Sequence, residues 1–174
     1  LTAEAEKIPL GESTIIAIDW MNGRRTPDAN QLLKGTISGL TLGSSAPRIF
    51  RALVEATAFG SRAIVERMRS EGVRIDNVIG IGGIALKSPF VMQTLSDVLN
   101  MPIKVCRTEQ APALGAAMFA ATAAGLYLSV DEAKHAMNSG FTYEYQPINE
   151  NVKAYSEIYD RYLKLGKFTE ENNF

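Results

Sequence analysis

Apolar and polar positions change their period along the chain, and each change marks an element. Thr14 to Trp20 is an apolar, β-branched run (TIIAIDW) and predicts a strand. Thr36 to Leu42, closed by Gly43, predicts a second strand, and residues 31–34 between the two predict one helical turn. From Pro47 to Arg69 the period becomes helical, with Ile49, Leu53, Ala56, Gly60 and Ala63 on one face. Arg48, Arg51, Glu55, Arg62, Glu66 and Arg69 form the opposite stripe. Arg51 with Glu55 and Arg62 with Glu66 stand at i,i+4, where opposite charges pair on a helix surface, so the stripe reads as a solvated face. Gly72 supplies the helix stop.

The second half alternates in the same way. Val78 to Ile81 predicts a buried strand, and Gly82-Gly83 a turn. Ser88 and Pro89 suit the cap and first position of a helix reaching Leu99, with Phe90, Leu95, Val98 and Leu99 facing the core. Asn100-Met101-Pro102 breaks the pattern before a short strand from Ile103 to Cys106. Pro112 to Ala124 is a helix of small residues. The uncharged span from Ala111 to Val130 is about long enough to cross a bilayer. Its Ala and Gly insert weakly, however, and Pro112 and Gly125 punctuate it, so it reads as a helix buried in a soluble core. Ser129 caps a short helix through Met137, and Phe141 to Tyr145 is extended. Val152, Tyr155, Ile158, Tyr159 and Tyr162 form the stripe by which a last helix packs onto the rest. Residues 1–12 are polar and read as ragged, and Met21 to Asn30 as an irregular loop. The alternation predicts one layered α/β domain over residues 1–174.

Composition narrows the function classes. A net charge of −1 gives no electrostatic case for nucleic acid or an anionic membrane. Cys106 is the one cysteine and His135 the one histidine, which excludes an intrachain disulfide, a cysteine-based zinc site and a plausible Ser-His-Asp or Cys-His arrangement. No spacing suggests a metal cage. His135 reads as a surface residue and Cys106 as a small apolar one. Residue 1 is Leu, with no leader pattern after it, and the chain reads as a piece of something longer. A reducing compartment fits, and the cytoplasm is the expected location.

Three places carry candidate chemistry. Asp19 ends an apolar strand, but Asp19-Trp20-Met21-Asn22-Gly23 lacks the tight D-x-G spacing of a phosphate loop. It reads as structural, bonding into its loop with Arg24 or Arg25. Glu109 stands where an anion favours the start of the following helix. The glycine pair is the third. Gly82 and Gly83 carry no Cβ, so their backbone takes positive φ readily and lies close to a ligand. Strand, glycine pair and helix then make a flat shelf suited to a planar base such as adenine. It is neither a Walker A loop nor a GxGxxG fingerprint.

Several segments together resemble the carboxy-terminal half of the FGGY carbohydrate kinases. They are Trp20-x-Asn22-Gly23-x-Arg25-x-Pro27, Lys34-Gly35-x-Ile37-x-Gly39-Leu40-Thr41-Leu42-Gly43 and Phe50-Arg51-Ala52-Leu53-x-Glu55-x-x-Ala58-Phe59-Gly60. Gly82-Gly83 with Gln93 and Asp97 resembles that family's adenosine motif, and Glu109-x-x-x-Ala113-Leu114-Gly115-Ala116-Ala117 the helix that follows. The string from Asp19 to Gln31 is most similar to the ribulokinase branch, rather than to the xylulose or glycerol kinases. The resemblance implies an actin/Hsp70-like (ribonuclease H-like) ATPase lobe, a mixed sheet flanked by helices. It implies ATP and Mg²⁺ in the intact protein, with a ketopentose, L-ribulose phosphorylated at C5-OH, as substrate. It assigns Gly82, Gly83, Ile84 and Lys87 to the adenosine, with Ile84 where Ala is common and Lys87 where Asn often occurs. The catalytic Asp is expected in an amino-terminal lobe outside this sequence, so no catalytic residue and no metal ligand is expected within it. The rival readings are another FGGY kinase, for xylulose or glycerol, and a non-catalytic assembly or dimerisation module, with a homo-oligomer as partner.

Overall fold

Two hydrophobic clusters, each built on a small sheet, organise the computed structural model, which describes residues 1–172. The elements run α1 (Thr2–Glu6), β1 (Ile16–Ile18), β2 (Thr36–Ser38), α2 (Ala46–Ser70), β3 (Val78–Gly80), α3 (Gly82–Lys87), α4 (Pro89–Leu99), β4 (Ile103–Cys106), α5 (Ala111–Ala123), α6 (Val130–Met137), β5 (Phe141–Tyr145) and α7 (Asn149–Glu171).

The first cluster fills the space between β1, α2 and α7. β1 and β2 pair antiparallel, with Ile16 opposite Ser38 and Ile18 opposite Thr36. Both strands are shorter than their apolar runs. After Ile18 the chain turns, with the Met21 amide on the Asp19 carbonyl at 2.8 Å. After Ser38, Gly39 takes a φ of +79°, and a Cβ there would collide with the Thr14 carbonyl. Residues 31–34 form a side-chain-supported turn, with the Leu32 amide on Asn30 Oδ1, rather than a helical one. α7 lays Tyr155, Ile158, Tyr159 and Tyr162 into the cluster around Phe59, as its stripe requires. The rings of Tyr159 and Tyr162 stack at 5.9 Å between centroids.

The charged stripe of α2 is only partly solvated. Arg62 and Glu66 pair at 2.8 Å near the surface, but Arg51 and Glu55 are buried, each 7% exposed. The Arg51 guanidinium donates through Nε to Glu55 (2.8 Å) and through Nη1 to the Ala5 and Ile8 carbonyls, and reaches Tyr155 Oη at 3.5 Å. Residues 1–12 are therefore not ragged. Arg51 gathers their carbonyls, α1 forms, and Ala5 is fully buried. A buried guanidinium needs several acceptors, and the N-terminal segment provides two of them.

The second cluster lies between α4 and one face of a three-stranded sheet in the order β3-β4-β5. β3 and β4 are parallel, with Val78 opposite Ile103, and β4 and β5 are antiparallel, with a bulge at Val105/Cys106. Ile103 and Val105 face Met92 and Leu99, and both are fully buried. Two expectations fail on the other face. β3 is an edge strand rather than a buried one, and Ile79 is 53% exposed. α5 buries none of its residues, and Phe119 is 64% exposed. Its small side chains pack against α6, and no described element covers the rest. Among the described residues no helix is long and apolar enough to cross a membrane.

Candidate functional site

β3 ends in a close-packed position, because a Cβ on Gly80 would lie 2.8 Å from Met92 Cε. One residue later the chain opens. Gly82 has a φ of +84° and starts α3, a short helix that sequence reading did not separate from the turn. Ala85 anchors α3 by burial in the second cluster. Around that anchor, Ile81 is 57% and Ile84 68% exposed, and a Cβ on either Gly82 or Gly83 would meet nothing within 4 Å. Gly82, Gly83, Ile84 and Lys87 thus lie together on one open, largely apolar surface. α4 begins at Ser88 and Pro89 as its sequence requires, although the Ser88 hydroxyl makes no capping bond.

The polar residues around the shelf are mostly engaged elsewhere. Glu109 reaches Lys87 Nζ at 3.4 Å, in an exposed pair, rather than the start of α5. Asp97 is buried and serves the fold. Its Oδ1 accepts from Gln93 (2.9 Å) and from the Ile148 amide (2.8 Å), and its Oδ2 from Asn151 (2.8 Å), which fixes the start of α7. Between the sheet and α5 lies a cavity of about 460 Å³, whose walls include Ile79, Thr108, Leu114, Met118 and Phe141. His135 and Cys106 stand at that cavity too. His135 is exposed, with Nδ1 2.7 Å from the Asp131 carbonyl, and no group of acidic, Cys or His side chains among the described residues could hold a metal.

Asp19 departs from its expected role. Arg24 does not bond it but forms a two-pronged pair with Glu170 on α7 (3.0 Å each) and lies 5.1 Å above the Trp20 ring. That pair holds the Glu170 carboxyl below its ordinary range. Glu170 was invisible as a loop partner because 146 residues separate it from Arg24. Burial pushes the Asp19 carboxyl up, and it lines a cavity of about 410 Å³ with Trp20, Asn22 and Arg25.

Residues 1–124 match the family described as FGGY family of carbohydrate kinases, C-terminal domain. A ribulokinase of Vibrio parahaemolyticus is 46% identical over 171 residues, covering 98% of this chain and 30% of that protein. A ribulokinase of Bacillus licheniformis is 43% identical over 178 residues, covering 99% and 32%. The similarity therefore continues past residue 124 through α6, β5 and α7. A xylulose kinase from Rhodospirillum rubrum superposes with a TM-score of 0.82 at 24% identity, over 99% of this chain and 34% of that one. A glycerol kinase from Plasmodium falciparum, solved with ADP, superposes with a TM-score of 0.73 at 22% identity, over 94% and 33%. At those identities the likeness is one of fold, the actin-like, ribonuclease H-like ATPase fold. The chain spans about 30% of the length of these ribulokinases.

Proposed function

The chain belongs to the FGGY family of carbohydrate kinases, as its C-terminal domain, and from that premise we propose that it forms the adenosine side of an ATP-dependent ketopentose kinase. The observation that carries this reading is the uncovered surface of α3, where neither glycine has an atom within 4 Å of a would-be Cβ. A backbone free of side chains there leaves room for a planar purine ring to approach it closely. Gly82 and Gly83 would lie under the base and Ile84 against its edge, while the Lys87 stem covers the ribose side. The residues present fit an adenosine. The phosphate and metal contacts are assigned, on this reading, to residues outside this sequence.

ATP supplies the γ-phosphoryl group, and Mg²⁺ neutralises its charge, in a reaction that rests mainly on positioning. The work of this domain is to bind and orient the nucleotide. The proton acceptor for the sugar hydroxyl would come from the amino-terminal lobe of the parent, which is also this domain's partner. The similarity to ribulokinases favours L-ribulose, phosphorylated at its C5 hydroxyl, in the cytoplasm. In the parent kinase, Gly83→Val should raise the KM for ATP tenfold or more and leave the KM for L-ribulose unchanged. An unchanged KM for ATP would remove Gly83 from the nucleotide site.

A further inference from the structure

The cavity beside Asp19 plays no part in that reading. It lies between the loop that follows β1 and the α2 helix, encloses about 410 Å³, and its walls include Asp19, Trp20, Asn22, Arg25, Thr57 and Ser61. That volume suits a small organic ligand. Three of its polar side chains line it without a side-chain partner. The Asp19 carboxylate, the Asn22 amide and the Arg25 guanidinium make no hydrogen bond or ion pair to another side chain among the described residues.

Asp19 is the informative member. Its Oδ1 and Oδ2 lie 3.7 and 3.8 Å from where a Cβ on Gly60 would stand, with the Tyr162 hydroxyl 3.8 Å from the same point, so the missing side chain leaves room for it beside α2. Its carboxylate accepts a hydrogen bond only from its own backbone, which leaves acceptor capacity facing the cavity, and burial raises its pKa. Hydroxyl groups of a ligand would supply the donors. Thr57 and Ser61 already donate to the Leu53 and Thr57 carbonyls, so their oxygens are left to accept. Arg25 is exposed and brings a cation for an anionic group. The Trp20 ring adds the apolar surface on which a carbon skeleton rests.

The loop is held in place before any ligand arrives. Arg24 and Asn30 exchange backbone hydrogen bonds at 2.9 Å, Arg24 is clamped to Glu170, and a Cβ on Gly23 (φ +83°) would stand 2.5 Å from Gln31 Cα. A wall fixed in this way spares a ligand the cost of ordering it.

We propose that this cavity binds a phosphorylated sugar, with Asp19 and Asn22 on its hydroxyls and Arg25 on its phosphate. The site belongs to the first hydrophobic cluster and the glycine shelf to the second, so either can fail without the other, while the choice of sugar rests on the ketopentose-kinase reading.

Trp20 is the only tryptophan in the chain and lines this cavity as well as a neighbouring one beside Arg24 and Tyr162, so the Asp19 and Arg25 variants assign an emission change to this one. Ribulose 5-phosphate, free ribulose and inorganic phosphate would each be titrated against the 174-residue chain, with equilibrium dialysis in parallel. Ribulose 5-phosphate should give a saturable change, and the other two should bind at least tenfold more weakly. Arg25→Ala, at an exposed position that the fold does not use, should weaken ribulose 5-phosphate tenfold or more, and so should Asp19→Asn. Gly83→Val should leave the titration unchanged, whatever happens to nucleotide binding. Equal binding of inorganic phosphate would reduce the cavity to an anion site and overturn the proposal. An Arg25→Ala chain that binds as well as the original, or no binding by either method at 10-fold the concentration of a metabolite-level titration (on the order of 10 mM), would overturn it as well.

Discussion

Gly82 and Gly83 are neighbours with different duties. Gly82 sits at a φ of +84°, where a side chain costs about 1 kcal/mol or more. Gly83 has no such φ and no atom within 4 Å of a would-be Cβ, so Ala there gains helix propensity, up to about 1 kcal/mol. Urea unfolding should therefore show Gly82→Ala destabilised and Gly83→Ala neutral or stabilised. The opposite order would mean that the shelf is built differently. Single positions also show what the sequence conceals. Arg51 and Glu55 have the spacing of a surface pair, and only the approach of residues 5–8 and Tyr155 buries them. Burial pushes the Tyr155 hydroxyl up to about 12, with the Glu55 charge adding to it. Unfolded tyrosine titrates near 10, so the folded state holds this proton more tightly. The associated stability is complete below pH 10 and is lost as pH rises toward 12, by an amount on the order of 2 kcal/mol. Tyr155→Phe should flatten the fall in unfolding free energy between pH 9 and pH 11.5. Equal slopes for the two proteins would place that fall elsewhere.

At the scale of elements, periodicity was most readable where one face is apolar and the other charged. The bounds of α2, the presence of α7 though not its reach to Glu171, the Ser129 cap of α6, whose hydroxyl accepts from Glu132, and the extended stretch at 141–145 all follow from local pattern. The strand runs were readable as strands but not in length, because Gly39 and the turn at Asp19 end them through contacts distant in sequence. α5 was misjudged for a physical reason. Its residues are small and apolar all round, a pattern that demands cover on every side, and no described element supplies it. The outer edge of β3, beside the exposed Ile79, is uncovered too. A free strand edge and an apolar helix invite association. The chain on its own should bind a hydrophobic dye and self-associate, and its β3 and α5 amides should exchange early. Phe119→Asp should reduce both dye binding and association. A monodisperse monomer with slowly exchanging α5 amides would show that α5 is covered after all.

For the whole molecule, family membership was legible because ordered motifs spread over the first 124 residues agree with one another, and that is the stretch the family matches. The turn at Gly82 was legible as a glycine pair after a strand, but not as the separate helix α3, since six residues carry no periodic signal. Gln93 and Asp97 were legible as part of the motif, yet their geometry gives them to α7. A domain proposed to supply only the adenosine side of the cleft, with the proton acceptor proposed to lie in the amino-terminal lobe of the parent, should not turn over. With ATP, Mg²⁺ and L-ribulose, the chain alone should release no ADP in a coupled assay. Binding of nucleotide is a separate matter and tests the central claim most directly. In isothermal titration of the chain with ADP, the account predicts saturable binding, with a matching rise in thermal midpoint, and its loss in Gly83→Leu, a variant that keeps the unliganded fold. No heat and no thermal shift at millimolar ADP, or equal binding by Gly83→Leu, would contradict it.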